Sequence, residues 1–312
     1  LMWHIVVEDN VSTVVRFVLL GFSEFPNIQG FLPGVFSIIY MVILIGNFLI
    51  IIITRLDPAL HKPMYFFLAH FSSLEICYVS VTLPRILVSI WTQDRSISLL
   101  SCATQMYFFL MFGATECFLL AVMSYDRYVA ICNPLRYPLV MNPKKCHHLA
   151  AGSWFGGVPV QIGQTWQIFS LHFCHSNQIN HFFCDIPPIL KLACGDTFVH
   201  ELMVYVAALL FVSAPFLLIL ISYIKIISTV LKLPSATSRA KAFSTCSSHL
   251  TVVVLFFGSA IITYLRPEAS HSAETDKVLS LFYTIVTPMF NPMIYSLRNK
   301  DVIMVLRKLL GK

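Results

Sequence analysis

Charge is scarce in this sequence, and it is missing in blocks. Only 12% of the 312 residues are charged, against 57% hydrophobic. A soluble protein of this size needs a polar skin, so that class is excluded. No Asp, Glu, Lys or Arg lies between Glu24 and Arg55, Glu201 and Lys225, Lys241 and Arg266, or Lys277 and Arg298. Each gap is long enough for the roughly 20 residues that cross a bilayer as a helix. The gap from Lys145 to Asp185 holds one more span, beginning near His148. Two further spans, Met64 to about Leu87 and Leu99 to Tyr125, are interrupted only by Glu75 and Glu116. The count is seven, which puts the termini on opposite sides.

Other absences narrow the field. No basic stretch is interleaved with aromatics, as a nucleic-acid groove requires. No basic region precedes the short apolar run Phe17 to Phe22, so no cleavable signal peptide is expected. The chain opens on Leu1 rather than Met, which leaves room for residues ahead of it. No internal repeat is found, which speaks against a transporter built from repeated halves. The cluster His172, Cys174, His175 and His181 matches no tetrahedral zinc spacing. An enzyme reading is the weakest, because Glu75 and Glu116 lie where a polar substrate does not easily reach.

What charge there is sorts by side. With the C-terminus on one face, that face holds 15 basic and three acidic residues, and the other holds six basic and ten acidic. The positive-inside rule then makes the C-terminus cytoplasmic and the N-terminus extracellular. Of the nine cysteines, Cys102, Cys174, Cys184 and Cys194 fall outside or at the outer rim, where disulfides persist; their pairing stays open among three choices. The sequon Asn10-Val11-Ser12 lies on the same side and is a glycosylation candidate. The expected organisation is a tail over 1–30, an all-α seven-helix membrane domain over 31–297, and a cytoplasmic amphipathic helix over 298–312. In that last segment Val302, Val305, Leu306, Leu309 and Leu310 recur at helical spacing against Arg307, Lys308 and Lys312.

The polar residues inside the spans carry the chemistry. Asn47 is an amide deep in hydrocarbon, read as bonding to nearby backbone. Glu75 and Glu116 are two membrane carboxylates that can share a proton or bind a cation. Asp126 and Arg127 stand side by side at the end of an apolar run, with Pro134 where the helix must stop. A guanidinium is costly within a bilayer, so it sits at a boundary or is paired, and Asp126 supplies local compensation. The pair serves as an interfacial anchor or as a latch. The long loop from about Gln167 to Glu201 is read as a lid over a cavity.

The motifs together carry a resemblance. Asn47, Asp126-Arg127-Tyr128, Trp154 and Asn291-Pro292-Met-Ile-Tyr295 resemble the rhodopsin-like G-protein-coupled receptors. Pro63-Met-Tyr-Phe-Phe-Leu68, Met123-Ser-Tyr-Asp-Arg-Tyr-Val-Ala-Ile-Cys132, Ser222-Tyr223 and Lys241-Ala-Phe-Ser-Thr-Cys-Ser-Ser-His249 resemble the vertebrate olfactory receptors, tetrapod-type class. The resemblance runs from Leu19 to Lys300. It implies disulfides Cys102–Cys184 and Cys174–Cys194, and a sodium-type site near Glu75 and Glu116 with no other cofactor. It implies a G-protein-facing switch of Asp126, Arg127, Tyr128 and Tyr223, relayed through Asn291 and Tyr295. The implied partner is the stimulatory olfactory G protein, acting through cyclic AMP at the plasma membrane of olfactory cilia.

The sequence departs from related receptors in places. There is no proline hinge between Lys241 and Arg266, as is usual in olfactory members, and Phe257 stands where they often carry Tyr. No acid faces Arg127 from the cytoplasmic end of span 6, where Arg239 and Lys241 lie. The outer half of span 3 has no carboxylate to meet an amine, and span 7 has no interior lysine for a Schiff base. The expected ligand is therefore a small, neutral, mostly hydrophobic molecule. Helical spacing and family position line its pocket with Met106, Phe109, Leu110, Gly113, Ala207, Phe211, Phe257, Ile261, Tyr264 and Thr284. A receptor of the same fold that senses a metabolite or lipid outside the nose is the alternative.

Overall fold

The computed structural model describes residues 16–22, 30–174, 176–232, 235–264, 273–297 and 300–309. It begins with a strand, β1 (Arg16–Leu19), followed by α1 (Leu32–Leu56) and α2 (Pro63–Thr92). Next come β2 (Ser96–Ser98), α3 (Leu99–Cys132), the single turn α4 (Tyr137–Val140), α5 (Pro143–Phe155) and α6 (Val158–Phe169). The long loop carries β3 (Gln178–Ile179) and α7 (Ile186–Leu190). Then follow α8 (Phe198–Ala208), α9 (Ala214–Leu231), α10 (Ala236–Tyr264), α11 (Ala273–Leu281), α12 (Thr287–Leu297) and α13 (Lys300–Leu309). A π-helical turn joins α8 to α9 at Leu209–Ser213, and another joins α11 to α12 at Phe282–Val286.

Among the described residues, five helices are long and apolar enough to cross a membrane: 32–56, 63–92, 99–132, 198–231 and 246–264. The two other expected spans are helical but broken. The fourth is split at Gly156–Gly157 into α5 and α6, with Pro159 at the start of the second piece. Proline is tolerated in a first helical turn because its missing N–H has no partner there. A Cβ on Gly157 would meet the Ala114 side chain at 3.2 Å, so the break lies where this span presses on α3. The seventh is interrupted by its π turn, and Pro292 lies inside α12.

Helix α3 is the hub, packing on α2, α5, α6, α9 and α10, while α1 packs on α2 and α12. Close approach depends on small residues. A Cβ on Gly46 would stand 3.1 Å from that of Pro292. Asn47 is buried and donates to Ile43 O at 2.9 Å, one turn back in its own helix. Trp154 Nε1 donates to His70 Nδ1 at 3.3 Å, tying α5 to α2. Lipid-facing surface is apolar, with Ile38, Ile45 and Ile52 exposed along α1. In α13, Val302 and Val305 are buried while Arg307 and Lys308 are exposed. Lys308 Nζ lies 3.4 Å from Asp57 Oδ2 in the turn after α1.

The end opposite α13 is closed by a small sheet in the order β2-β1-β3. β1 runs antiparallel to β2, with Phe17 opposite Ile97, and parallel to β3, with Leu19 opposite Ile179. The apolar run from Phe17, expected to belong to a tail, thus starts as a strand. Its alternate residues Phe17 and Leu19 are buried, the pattern of a strand with one face on a core. They cover a second hydrophobic cluster with Met106, Ile168, Ile186 and Ile189. Two disulfides hold this cap: Cys102–Cys184 pins the loop to the start of α3, and Cys174–Cys194 closes the loop on itself. Gln105 adds a polar clamp, accepting from Cys184 N at 3.0 Å and donating to Val81 O at 3.0 Å.

Candidate functional site

Below the cap lies a cavity of about 80 Å³, room for on the order of half a dozen waters. Its wall is built from α3 (Phe109, Leu110, Gly113, Ala114, Cys117), α6 (Gln161, Gln164), α8 (Val204, Ala207, Ala208) and the first π turn (Phe211, Val212). Phe256, Ala260 and Tyr264 of α10, with Tyr78 of α2, Tyr283 of the second π turn and Ile186 of the loop, complete it. No Asp, Glu, Lys or Arg belongs to the wall.

Asp185 ties the roof down. Its carboxylate accepts from Tyr264 Oη at 2.9 Å, from Tyr283 Oη at 3.1 Å and from Ile186 N at 2.8 Å. It is 1% exposed, and burial pushes its pKa up to about 6, against the pull of those three hydrogen bonds. His181, packed against Phe182 and edge-on to Phe183, is driven by burial the other way, down to about 3. Its imidazole is therefore neutral. Of the His/Cys cluster in this loop, Cys174 is consumed by its disulfide and His175 lies outside the described residues.

The ten residues placed in the pocket by sequence divide. Phe109, Leu110, Gly113, Ala207, Phe211 and Tyr264 stand together in the wall. The other four lie elsewhere. Met106 sits one turn higher on α3, fully buried beneath the sheet. Phe257 packs on Phe216, with ring centroids 5.3 Å apart, and its neighbour Phe256 takes the wall position. Ile261 likewise gives way to Ala260, and Thr284, which donates to Ser280 O, gives way to Tyr283. One step along a helix turns the side chain by about 100°, so a register error of one residue moves it off the wall. Thr284 lies in the second π turn, where an inserted residue shifts the spacing counted from sequence. Gln161 and Gln164 were not singled out in the sequence, although two amides three residues apart in an apolar span were the available signal.

At the far end of the bundle the switch candidates are arranged differently from a simple ion pair. Asp126 is buried and accepts from Tyr137 Oη at 2.8 Å. Among the described residues no ion pair joins it to Arg127, because neighbours in a helix do not face one another. Tyr223 Oη lies 2.9 Å from His249 Nδ1, linking α9 to α10. Tyr128 packs its ring near Tyr125 at 6.4 Å. Cys132 Sγ lies 3.2 Å from Thr229 Oγ1, so α3 and α9 also meet through this pair. The Tyr295 side chain and Asn10 lie outside the described residues.

Between the two ends Asn291 Nδ2 donates to Glu75 Oε1, joining α12 to α2. Glu75 and Glu116 are both buried. Glu75 Oε2, Glu116 Oε1, Asn291 Oδ1 and Ser72 Oγ are buried oxygens without a hydrogen-bond partner. Unpartnered buried oxygens of this kind suit a hard cation or a proton.

Comparison with protein families matches residues 36–312 to the olfactory receptors. The chain belongs to the olfactory receptor family. It is 60% identical to human olfactory receptor 10AG1 over 298 residues, covering 96% of this chain and 99% of that protein. It is 54% identical to human olfactory receptor 10A5, over 94% of this chain and 93% of the relative. It is 52% identical to human olfactory receptor 10C1, over 98% of each. This olfactory receptor is thus a multi-pass, seven-helix G-protein-coupled receptor and not an enzyme. Such a receptor takes an odorant and couples to a G protein, so it needs one site for each. The structure offers a cavity at the disulfide end and a polar cluster around Arg127 at the other.

Proposed function

We propose that this olfactory receptor binds a small, neutral, mostly hydrophobic volatile in the cavity beneath Asp185 and activates a stimulatory G protein that raises cyclic AMP. The observation that carries this reading is the uncharged wall of a cavity roofed by the disulfide-bound loop. A charged ligand entering it would lose its hydration without finding a counter-ion. The size suits a molecule of modest bulk, and the aromatic walls supply dispersion contacts without fixing one shape.

In this reading the disulfide end faces the exterior and the basic end the cytoplasm, at the surface of olfactory cilia. Asn10 is glycosylated. The two disulfides favour an oxidising exterior, and the 15 basic against three acidic residues favour the cytoplasm at the other face. A ligand that binds one arrangement of the helices better than another shifts the population toward it. The wall is shared by α3, α8 and α10, and the same α3 and α10, with α9, carry Arg127, His249 and Tyr223 at the other end. Relative motion of these helices is the route from cavity to G protein. Glu75, Glu116, Asn291 and Ser72 would hold a sodium ion between the two, neutralising carboxylate charge within the bundle.

Arg127→Ala tests the coupling. Cyclic AMP responses to an odorant panel are expected to vanish while surface display, read by an N-terminal epitope, persists. A full response from the variant overturns the assignment of Arg127 to the switch.

A further inference from the structure

Two side chains in the cavity wall are out of keeping with the rest. Gln161 and Gln164 lie three residues apart on α6 and so share one face of it. They are only 4% and 7% exposed. Gln161 Oε1 is buried with no hydrogen-bond partner, and Gln164 stands one turn along in the same wall. Two other polar groups of the wall are engaged: the hydroxyls of Tyr264 and Tyr283 are both committed to Asp185. A buried amide left unpaired costs stability and is retained where something else answers it.

We infer that Gln161, supported by Gln164, is the polar recognition point of the cavity and selects apolar ligands that carry a hydroxyl group. This rests on the cavity being the odorant site. A primary amide offers an acceptor and a donor side by side. A hydroxyl is the smallest neutral group that answers both, giving its proton to Oε1 and accepting from an amide N–H. A ketone or ester accepts only, and leaves Oε1 unpaired. A hydrocarbon answers neither group and likewise leaves Oε1 unpaired. A site built to bond a hydroxyl discriminates strongly against the analogue that lacks it, because the protein's own polar atoms are then stranded. Charged groups are disfavoured by the uncharged wall, and a carboxylate further by Asp185 above it.

The test applies matched sets to cells displaying the tagged full-length chain with a stimulatory G protein: cyclohexanol, cyclohexanone and cyclohexane, and 1-octanol, 2-octanone and octane. Cyclic AMP is read against concentration, with surface display measured for each variant. In at least one set the alcohol is expected to act at a concentration at least about tenfold lower than its ketone. Gln161→Met, which keeps the volume of the side chain, should raise the effective alcohol concentration by about tenfold or more and erase the preference. Gln164→Met should do so in part. Gly113→Leu tests the cavity itself, since a side chain built there enters open space within the wall. It should silence every ligand. Equal potency of alcohol and ketone, or a Gln161→Met variant that shifts both alike, overturns the hydroxyl inference while silence of Gly113→Leu leaves the cavity reading standing. Unchanged responses from Gly113→Leu overturn the cavity reading and this inference with it. Silence of both alcohols in surface-positive cells also overturns it.

Discussion

Asp185 shows how one residue can be set by its surroundings. It caps α7 through Ile186 N and takes two tyrosine hydroxyls from α10 and the second π turn. Burial is the larger effect and raises its pKa to about 6 from the ordinary 3.8, with Asp276 nearby pushing the same way. Asp276 itself lies 3.7 Å from Lys191. His181, neutral down to about pH 3, does not titrate across this window. With a folded-state value above the unfolded one, the folded protein holds the extra proton between pH 4 and pH 6. Stability should therefore rise as pH falls through that window, by up to about 3 kcal/mol. Asp185→Asn, neutral throughout, should flatten this rise. Melting midpoints of the purified receptor between pH 4.5 and 7.5 provide the check, and a variant with the wild-type slope would exclude Asp185 as its source. The Asp was visible in the sequence only as a loop acid next to Cys184. Its partners are about 80 and 100 residues away, and no local pattern announces them.

At the scale of elements, small residues decide how closely helices meet. Gly46 on α1 faces Pro292 on α12, where an added Cβ would stand 3.1 Å from the proline ring carbon. Gly34, three turns earlier on the same helix, has nothing within 4 Å. Gly46→Leu should therefore destabilise the bundle by about 1–3 kcal/mol through overpacking. Gly34→Leu should be close to neutral. Detergent melting midpoints of the two variants give the comparison, and equal values would exclude a close contact at Gly46. The spans were legible as charge-free blocks, and α13 as an apolar stripe with Val302 and Val305 inward. The break in the fourth span falls at Gly156-Gly157, two adjacent small residues that are plain in the sequence but do not by themselves announce a break. The π turns left no readable mark, since an inserted residue changes register without changing composition.

For the molecule as a whole, the cap is the least local feature. A strand before α1, a strand between α2 and α3 and a strand in the long loop converge on one sheet. Cys102–Cys184 spans 82 residues and Cys174–Cys194 spans 20. In the chain-entropy account those loops are worth roughly 4.5 and roughly 3.3 kcal/mol of restraint on the unfolded chain. Replacing the first pair with serines should lower surface display and melting midpoint more than replacing the second. The first also anchors the roof of the cavity, so its loss should remove odorant responses even where display survives. Equal effects would show that the two crosslinks restrain the cap alike.

The sequence by itself determined that this chain lives in a bilayer, roughly where its helices run and which family it resembles. Those properties are local: a hydrocarbon layer demands an uncharged run of fixed length, and a motif is read residue by residue. Only the tertiary structure decided that Phe256 and not Phe257 reaches the cavity, that Asp126 answers Tyr137 instead of Arg127, and that two glutamines of α6 face an otherwise apolar space. Each of these depends on the rotation of one helix against another. That rotation is set by packing across the whole bundle, which no stretch of the chain contains alone.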